Sequence, residues 1–551
     1  MRKILAVLTA LMSVSGLTFA EEIPELPKNQ SILSGPQLNR ARENFERARV
    51  AKQIEEDQQR IRAKEQQNPP EAKPEGDNVT FMLNELEVDE SVVLPAEELQ
   101  KLTKDFVGSW VSLNDLYQIV SRINNMYAEG GYVTCKAFLP QQTIKNGKVH
   151  IVLVEGKVGA VTVEGNRYTR DGFFANRVSL PEGKVSSIKD LNREMMRFNG
   201  TNDVQLRLVL QAGKEPGTTD YVLQAYEPQQ FTATVFADNA GNYTSGTYRE
   251  GVFFNVRSVT GIRDSLSVGG TYSEGTKALS ASYSLPIGSR DTRLIFGYST
   301  NRVETVRGSF RDMDVDGNSS SYSMEIRQPI VVNDTTRSEI SVDGMLQNSK
   351  TDILDTHWVD DDMEEVNVNL SLTNYGKSHV FYQKHTYTAY GHNRNIVEQG
   401  EKFNVYRFTA LYQKMAEHGR NLTWRADAQW AQNHDGLPSA RQFYLGGMNS
   451  VRGYKESFLS GDSGFSSSLE YNLPIGHAVT PYVFYDYGWL DDQNAMDKHI
   501  LQSVGFGIKA NISKNIYSNL SLAVPLIRHF DNMEDGEVSK VRVHYIVSGV
   551  F

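Results

Sequence analysis

Cysteine is nearly absent from this 551-residue sequence, in which Cys135 stands alone. A lone cysteine makes no intrachain disulfide, so the fold does not depend on oxidation. Long apolar runs are also missing. Only 39% of the residues are hydrophobic, and the one stretch resembling a membrane helix is residues 1–20, where a signal peptide would sit. A helical membrane protein needs runs of about 20 apolar residues, so that class is excluded. Positive charge is in deficit, 57 Lys and Arg against 67 Asp and Glu, for a net charge of -10. No basic patch interleaved with aromatics offsets it, which argues against a nucleic-acid partner. No Walker-type phosphate loop occurs, so an internal ATP motor is not expected. What remains open is a transmembrane β-barrel, which hides its apolar residues at every second position. The 26 Tyr and 43 Gly suit one.

The amino terminus begins with Arg2 and Lys3, continues through an apolar run from Ile4 to Leu17, and offers Thr18-Phe19-Ala20 before Glu21. This is a secretory signal with a cut expected after Ala20. Its removal takes the net charge from -10 to -12. Together with the single cysteine, this points to the envelope of a diderm bacterium. Within 21–67, residues 36–67 read as a helix dense in Arg, Glu and Gln. Its thin apolar stripe of Leu38, Ala41, Phe45, Ala48, Ile54 and Ile61 is too narrow to pack on a large core. Such a helix is either solvated or housed in a polar cavity. Residues 68–79, rich in Pro, Glu and Gly, read as a linker.

Two small α+β units are expected next, over 80–155 and 156–228. In the first, strands at Phe81–Val88, Tyr132–Phe138 and Lys148–Val154 frame helices at Pro95–Lys104 and Ser112–Glu129. In the second, strands at Val158–Val163, Val204–Leu210 and Tyr221–Ala225 frame helices at Arg170–Val178 and Ser187–Phe198. The order βααββ recurs without sequence identity.

From 229 to 551 the apolar period is two. Leu422, Trp424, Ala426, Ala428 and Trp430 alternate with Thr423, Arg425, Asp427 and Gln429. A one-residue slip would turn Arg425 toward lipid at a cost of roughly 2–4 kcal/mol at the midplane, so register is strongly fixed. Sixteen such segments can be counted: 231–238, 250–259, 264–273, 277–287, 291–301, 321–332, 335–347, 364–375, 378–391, 402–415, 420–432, 464–475, 480–489, 501–512, 516–527 and 540–551. Each approaches the ~9–11 residues with which a tilted strand crosses a bilayer. Gaps after even-numbered segments are short, and those after odd-numbered segments are long except 274–276. Short periplasmic turns opposite long outer loops are the signature of an outer-membrane barrel. An even strand count keeps the small units in the periplasm. Sixteen strands also enclose an aqueous lumen that something must close.

The longest gap, 433–463, holds Leu445-Gly446-Gly447-Met448-Asn449-Ser450-Val451-Arg452-Gly453-Tyr454. Gly446 and Gly447 would hinge a hairpin that folds inward and presents Arg452. Two segments on stands Phe484-Tyr485-Asp486-Tyr487-Gly488, in which Asp486 shares a phase with Tyr482 and Phe484. An inward Asp needs a partner, and Arg452 is the evident one. The closing segment ends on Phe551 after apolar residues or Gly at odd positions.

With these motifs the chain resembles the transporters of two-partner secretion, the haemolysin-activator and filamentous-haemagglutinin exporters. That family's VRG-aromatic loop motif is matched by Val451, Arg452, Gly453 and Tyr454, and its barrel-wall F-x-D-x-G by Phe484, Asp486 and Gly488. The resemblance implies a plug helix (36–67), two POTRA domains (80–155 and 156–228) and a sixteen-stranded barrel (229–551). It also implies an Arg452–Asp486 pair in the lumen and export of a large unfolded exoprotein (an adhesin, haemolysin or toxin) met by the POTRA domains. Phe551 resembles the signal read by the barrel-assembly machinery. The chain is expected to sit as a monomer in outer-membrane lipid, with no cofactor, metal or catalytic residues. The alternative reading is a barrel-assembly factor of the same superfamily.

Two decoys carry less. Asp312, Asp314, Asp316 and Gly317 begin like a calcium loop, but Ser323 stands where a bidentate Glu is needed. Gly461-Asp462-Ser463-Gly464 echoes a protease nucleophile without a companion His motif.

Overall fold

The computed structural model describes residues 33–64, 80–178, 180–308, 310–354, 356–394, 401–432, 436–476, 478–492, 497–530 and 538–551. The signal segment 1–20 and the linker 68–79 lie outside them.

Period-two patterning from Phe231 onward resolves into one closed, antiparallel, sixteen-stranded barrel. Its strands are β1 Phe231–Asp238, β2 Arg249–Arg257, β3 Ser265–Tyr272, β4 Thr276–Ile287, β5 Thr292–Glu304, β6 Asp316–Val332, β7 Thr336–Ile353 and β8 Thr356–Tyr375. They continue as β9 His379–Arg394, β10 Val405–Met415, β11 Asn421–Ala431, β12 Ser463–Asn472, β13 Val479–Asp492, β14 Asp497–Asn511, β15 Ile516–Pro525 and β16 Arg542–Val550. Closure pairs β16 with β1, from Ile546↔Asp238 to Val550↔Thr234. Phe551 extends this seam by exchanging backbone hydrogen bonds with Ala233 (2.8 and 2.9 Å). A closed sheet leaves no unpaired edge in hydrocarbon, where each unsatisfied backbone group would cost several kcal/mol. Apolar side chains such as Leu279, Val366, Val368, Leu370, Val483 and Phe506 face outward, exposed to lipid. The other phase, including Asn301, Ser319, Asn367, Asn369 and Thr388, is buried toward the lumen.

Several strands outrun the sequence expectation. Residues 348–363, expected in a long outer loop, mostly continue β7 and β8, which stay paired as far as Ile353↔Thr356. The expected segment 402–415 is interrupted, with Glu401–Lys402 pairing separately on β9 before β10 begins. Above the bilayer both faces of a strand meet water, so alternation fades while backbone pairing persists.

Before the barrel lie the two α+β units. In the first, Glu85–Val88 runs parallel to Lys148–Glu155, which runs antiparallel to Cys135–Phe138. The second repeats this with Lys157–Glu164, Thr218–Tyr226 and Gln205–Ala212. The expected single strand Phe81–Val88 is broken: Thr80–Met82 pairs instead with Trp110–Ser112. Two helices cover each sheet, α2 Ala96–Lys104 and α3 Leu113–Gly130 in the first, α4 Asp171–Ala175 and α5 Ile188–Thr201 in the second. Ser112 and Asp115 form a reciprocal capping box at the start of α3, closing two orphan donors. One device recurs in both units. The Asn124 amide in α3 bonds the backbone O and N of Ala137 (3.0 and 2.7 Å), and the Asn199 amide in α5 does the same for Leu206 (2.9 and 2.7 Å).

The units are joined end to end. Ile188 N at the start of α5 donates to Gly131 O beyond the end of α3 (2.7 Å), and Ser187 Oγ to Gly130 O (2.8 Å). Orphan groups of the two helix ends thus satisfy one another. The second unit in turn sits on the periplasmic turns of the barrel. Ile262, between β2 and β3, packs into its core. Asp291, between β4 and β5, accepts from Arg177 Nε (3.1 Å), Arg197 Nη2 (3.3 Å) and Asn202 Nδ2 (3.3 Å).

Candidate functional site

Helix α1, Ser34–Lys64, occupies the barrel lumen. At its start Ser34 Oγ bonds Ser319 Oγ (2.8 Å), and Asn301 Nδ2 donates to Ser34 O (2.9 Å). Further along, Asn39 Nδ2 donates to Ala440 O (2.8 Å), and Arg47 Nη1 lies 3.1 Å from Asp427 Oδ2. Ile54 packs with Tyr375, Val380 and Tyr382 around a periplasmic turn. The helix therefore runs the length of the channel with its amino end outermost. Ala41 and Ala48 are exposed although Leu38 and Ile54 are buried. The apolar stripe does not define the docking face, because the surrounding wall is polar and fixes the helix through its amides and charges.

The segment between β11 and β12 folds back into the same lumen. Phe443–Leu445 pairs with Leu459–Gly461 as its stem. Val451 and Tyr454 are buried with Leu445, Phe458, Leu459, Leu490 and Leu501. Tyr454 Oη shares its single proton between Ile527 O (2.8 Å) and Gln502 O (3.0 Å), tying the loop to β14 and to the chain just beyond β15. Gly447 lies at φ +104° and any Cβ there would strike the Glu456 carboxylate; Gly453, at φ +97°, sits against Pro525. Gly446 is likewise left-handed at φ +98°. Gly488 serves differently: a Cβ on this wall position would meet Val451 at 2.8 Å and Leu445 at 3.0 Å. Its bareness lets the loop lie flat on β13.

Arg452 is the most heavily bonded side chain of the loop. Nε and Nη2 fork onto Asp486 Oδ2 and Oδ1 (2.8 and 2.7 Å), and the Arg452 backbone N–H adds a third bond to Oδ2 (3.0 Å). Nη1 donates to Glu470 Oε1 (2.8 Å) and Nη2 to Ser468 Oγ (2.9 Å). The guanidinium carbon lies 3.4 Å from the centre of the Phe484 ring, a cation–π contact. Phe484 fits because Gly505 opposite offers no side chain. Arg452 is 4% exposed and Asp486 0%. Charges buried this deeply are tolerable only when nearly every donor and acceptor is used, which is the case here.

Sequence reasoning missed the carboxylates around this pair. Glu470 on β12 also takes Arg425 Nη2 (2.6 Å) and Lys509 Nζ (2.9 Å), so three cations converge on it. Its lumen-facing phase, shared with Ser466 and Ser468, was the available signal. Glu456 joins loop to helix: it accepts from Arg40 Nη2 of α1 (2.9 Å) and from Met448 N (2.5 Å). Asn449 at the loop tip meets Asn44 of α1 (3.1 Å). Arg441, buried, pairs with Glu365 on β8.

Phe551 is remote from this cluster, at the lipid-exposed foot of the seam. The two decoys have structural uses. Asp316 opens β6 and pairs with Arg302 (2.9 Å). Asp462 accepts from Leu437 N and Ser463 Oγ from Ala431 N (both 3.0 Å). Among the described residues no cluster of His, Cys, Asp or Glu suits a metal ion.

Comparison with known proteins agrees with this architecture. The family model "Haemolysin secretion/activation protein ShlB/FhaC/HecB" matches residues 217–510, just over half of the chain, and a ShlB-type POTRA domain model matches 81–156. The chain is 25% identical over 525 residues to the heme/hemopexin transporter protein HuxB of Haemophilus influenzae strain 86-028NP, covering 84% of this chain and 90% of that one. It is 24% identical over 487 residues to the outer membrane transporter CdiB of Dickeya dadantii, covering 82% and 85%. In fold it is similar to CdiB from Escherichia coli, with a TM-score of 0.66 at 19% identity over 94% of this chain and 99% of that one.

Proposed function

The chain belongs to the haemolysin secretion/activation family, ShlB/FhaC/HecB, and from that premise we propose how this two-partner secretion transporter of the outer membrane captures and threads its exoprotein. The carrying observation is a closed barrel whose polar lumen holds both α1 and a loop anchored by Arg452 and Asp486. A passive porin has no need of such an arrangement.

Capture falls to the periplasmic units. Gln205–Ala212 is an edge strand of the second unit, bonded on one side only among the described residues. Because the outward backbone groups of Leu206 are held by Asn199, alternation directs those of Leu208 and Leu210 to the open edge as well. An extended cargo segment adding there gains main-chain hydrogen bonds, with side-chain pockets supplying specificity. The corresponding edge of the first unit, Cys135–Phe138, is half as long and has Ala137 occupied by Asn124. Helix α1 acts as the plug. It leaves, the cargo passes as unfolded chain along a wall of hydroxyl and amide groups, and folding outside draws it through. The Arg452–Asp486 pair keeps the loop against β13 so that the vacated lumen stays open. Phe551 serves recognition by the assembly machinery, and the transporter works as a monomer.

The family match favours export over barrel assembly. Depleting the protein tests it: loss of one surface exoprotein is expected, and a general loss of outer-membrane barrels would overturn the reading.

A further inference from the structure

Arg337, the second residue of β7, touches three parts of the molecule at once. On its own strand, Nε and Nη2 donate to Glu339 Oε1 (3.1 and 2.7 Å). Nη1 donates to Gly200 O in the last turn of α5 (2.5 Å), where the negative end of the helix dipole welcomes a cation. The third contact is with the lumen helix: with its amide turned so that the oxygen faces the guanidinium, Gln53 accepts from Nη1 at 3.3 Å and lies 2.8 Å from Nε, sharing that atom's single hydrogen with Glu339. Its side chain is 14% exposed, so these bonds form out of bulk water and count for more than surface contacts.

Gly200 neighbours the residue that guards the open sheet edge. Asn199 holds Leu206 by two hydrogen bonds, and Leu206 begins the free edge of Gln205–Ala212. A continuous set of bonds therefore runs from the edge through Asn199 and Gly200 to Arg337, and from Arg337 to Gln53 of α1. A strand added beside Leu206 competes for the groups that Asn199 holds, and any shift of Asn199 carries the Gly200 carbonyl with it.

We infer that Arg337 is a positioning residue that retains the lumen helix only while the carboxyl end of α5 is in place, making occupancy of the sheet edge the trigger for plug release. The inference rests on the export reading for the identity of the trigger, but retention itself can be measured without cargo. A planar guanidinium is required, since it alone forks to a carboxylate, a carbonyl and an amide together.

The experiment is conductance of the purified full-length chain in planar lipid bilayers. Loss of one charge-assisted bond shifts a closed–open equilibrium by about tenfold, so Arg337→Gln should raise open time by that factor. Gln53→Ala should raise it similarly, and the double variant by no more than either alone. In a chain lacking residues 34–64, Arg337→Gln should change nothing. Heat-modifiable electrophoretic mobility verifies that each barrel is folded. Arg337→Lys, which keeps the charge without the fork, supplies a second variant should Arg337→Gln fail to assemble. Unchanged conductance in the folded variant would overturn the inference, as would an increase that persists without the helix. Failure of the export reading would appear separately, as an exoprotein still secreted after depletion.

Discussion

Arg452 illustrates what a buried charge demands of its neighbours. Asp486 gives it a fork and a backbone bond, Glu470 and Ser468 take two more donors, and Phe484 covers the face. Removing one partner of a buried pair typically costs about 3–5 kcal/mol, because the other charge is stranded. Asp486→Ala should fall toward the low end, since Glu470 remains, while Arg452→Ala leaves two carboxylates without their shared cation. Arg452→Ala is expected to abolish export while the barrel still assembles, read as cargo in the medium against heat-modifiable mobility of the transporter; full export by a folded variant would refute the role. Cys135 gives a prediction of another kind. Burial pushes its thiol pKa up, with the nearby Glu155 acting in the same direction. The folded state therefore favours the neutral thiol. Its contribution to the first unit's stability is complete below the ordinary thiol value of about 8.5 and is lost as pH rises through the elevated folded value. Maleimide labelling at pH 7.5 should be slow in the native protein and fast in denaturant, and equal rates would contradict the burial.

Among elements, the edge strand Gln205–Ala212 makes the sharpest claim, because neighbouring residues point their backbone groups in opposite directions. Val209 N–H faces Val222 within the sheet, whereas Leu210 N–H faces the free edge. Proline removes a donor wherever it stands. Leu210→Pro should therefore spare the unit's fold and weaken cargo capture, while Val209→Pro should break a ladder bond and lower its melting temperature. Circular dichroism and pull-down of the cargo's secretion domain separate the two, and normal capture by Leu210→Pro would exclude this edge. The barrel strands show where sequence is informative about elements. Inside the bilayer each side chain chooses between lipid and lumen, so Leu422 to Trp430 could be phased residue by residue. Above it, Asp360, Asp361 and Asp362 belong to β8 with acid on both faces, and no period marks them as strand. Helix α1 was legible as a helix, but its docking face was not, since a polar wall selects through Arg40, Asn44 and Arg47 rather than through an apolar stripe. The Arg452 and Asp486 positions were legible from their glycine-flanked motif and strand phase; Glu470 and Arg337, lacking any motif, required the fold.

Taken whole, the molecule is tied together by side-chain and backbone bonds from the first unit to the barrel. Helix α3 is spliced to α5 through Gly131 and Ile188, and the second unit is fastened to two barrel turns. Asp291 carries the second fastening. It is 4% exposed and gathers Arg177, Arg197 and Asn202, while Arg177 also bonds Gly288 O (2.8 Å) and Arg197 bonds Ser289 O (2.7 Å). At the other turn Arg263 Nε holds Asp203 (2.8 Å), and Ile262 fills the unit's core. Interfaces between domains are otherwise mobile by default, so this double attachment implies that the open edge is presented at a fixed height and angle below the channel. Asp291→Ala strands Arg177 in a buried site, and a loss of about 3–5 kcal/mol is enough to free one of the two attachments. Spin labels on Glu194 of α5 and on an outer barrel strand should give one narrow distance distribution in the parent chain. In Asp291→Ala the distribution should broaden, with export reduced, and Asp291→Asn, which retains acceptor capacity, should lie between. An equally narrow distribution in Asp291→Ala would mean that Ile262 and Arg263 hold the unit alone. A broad one in the parent would remove the fixed presentation on which direct delivery of cargo to the pore depends.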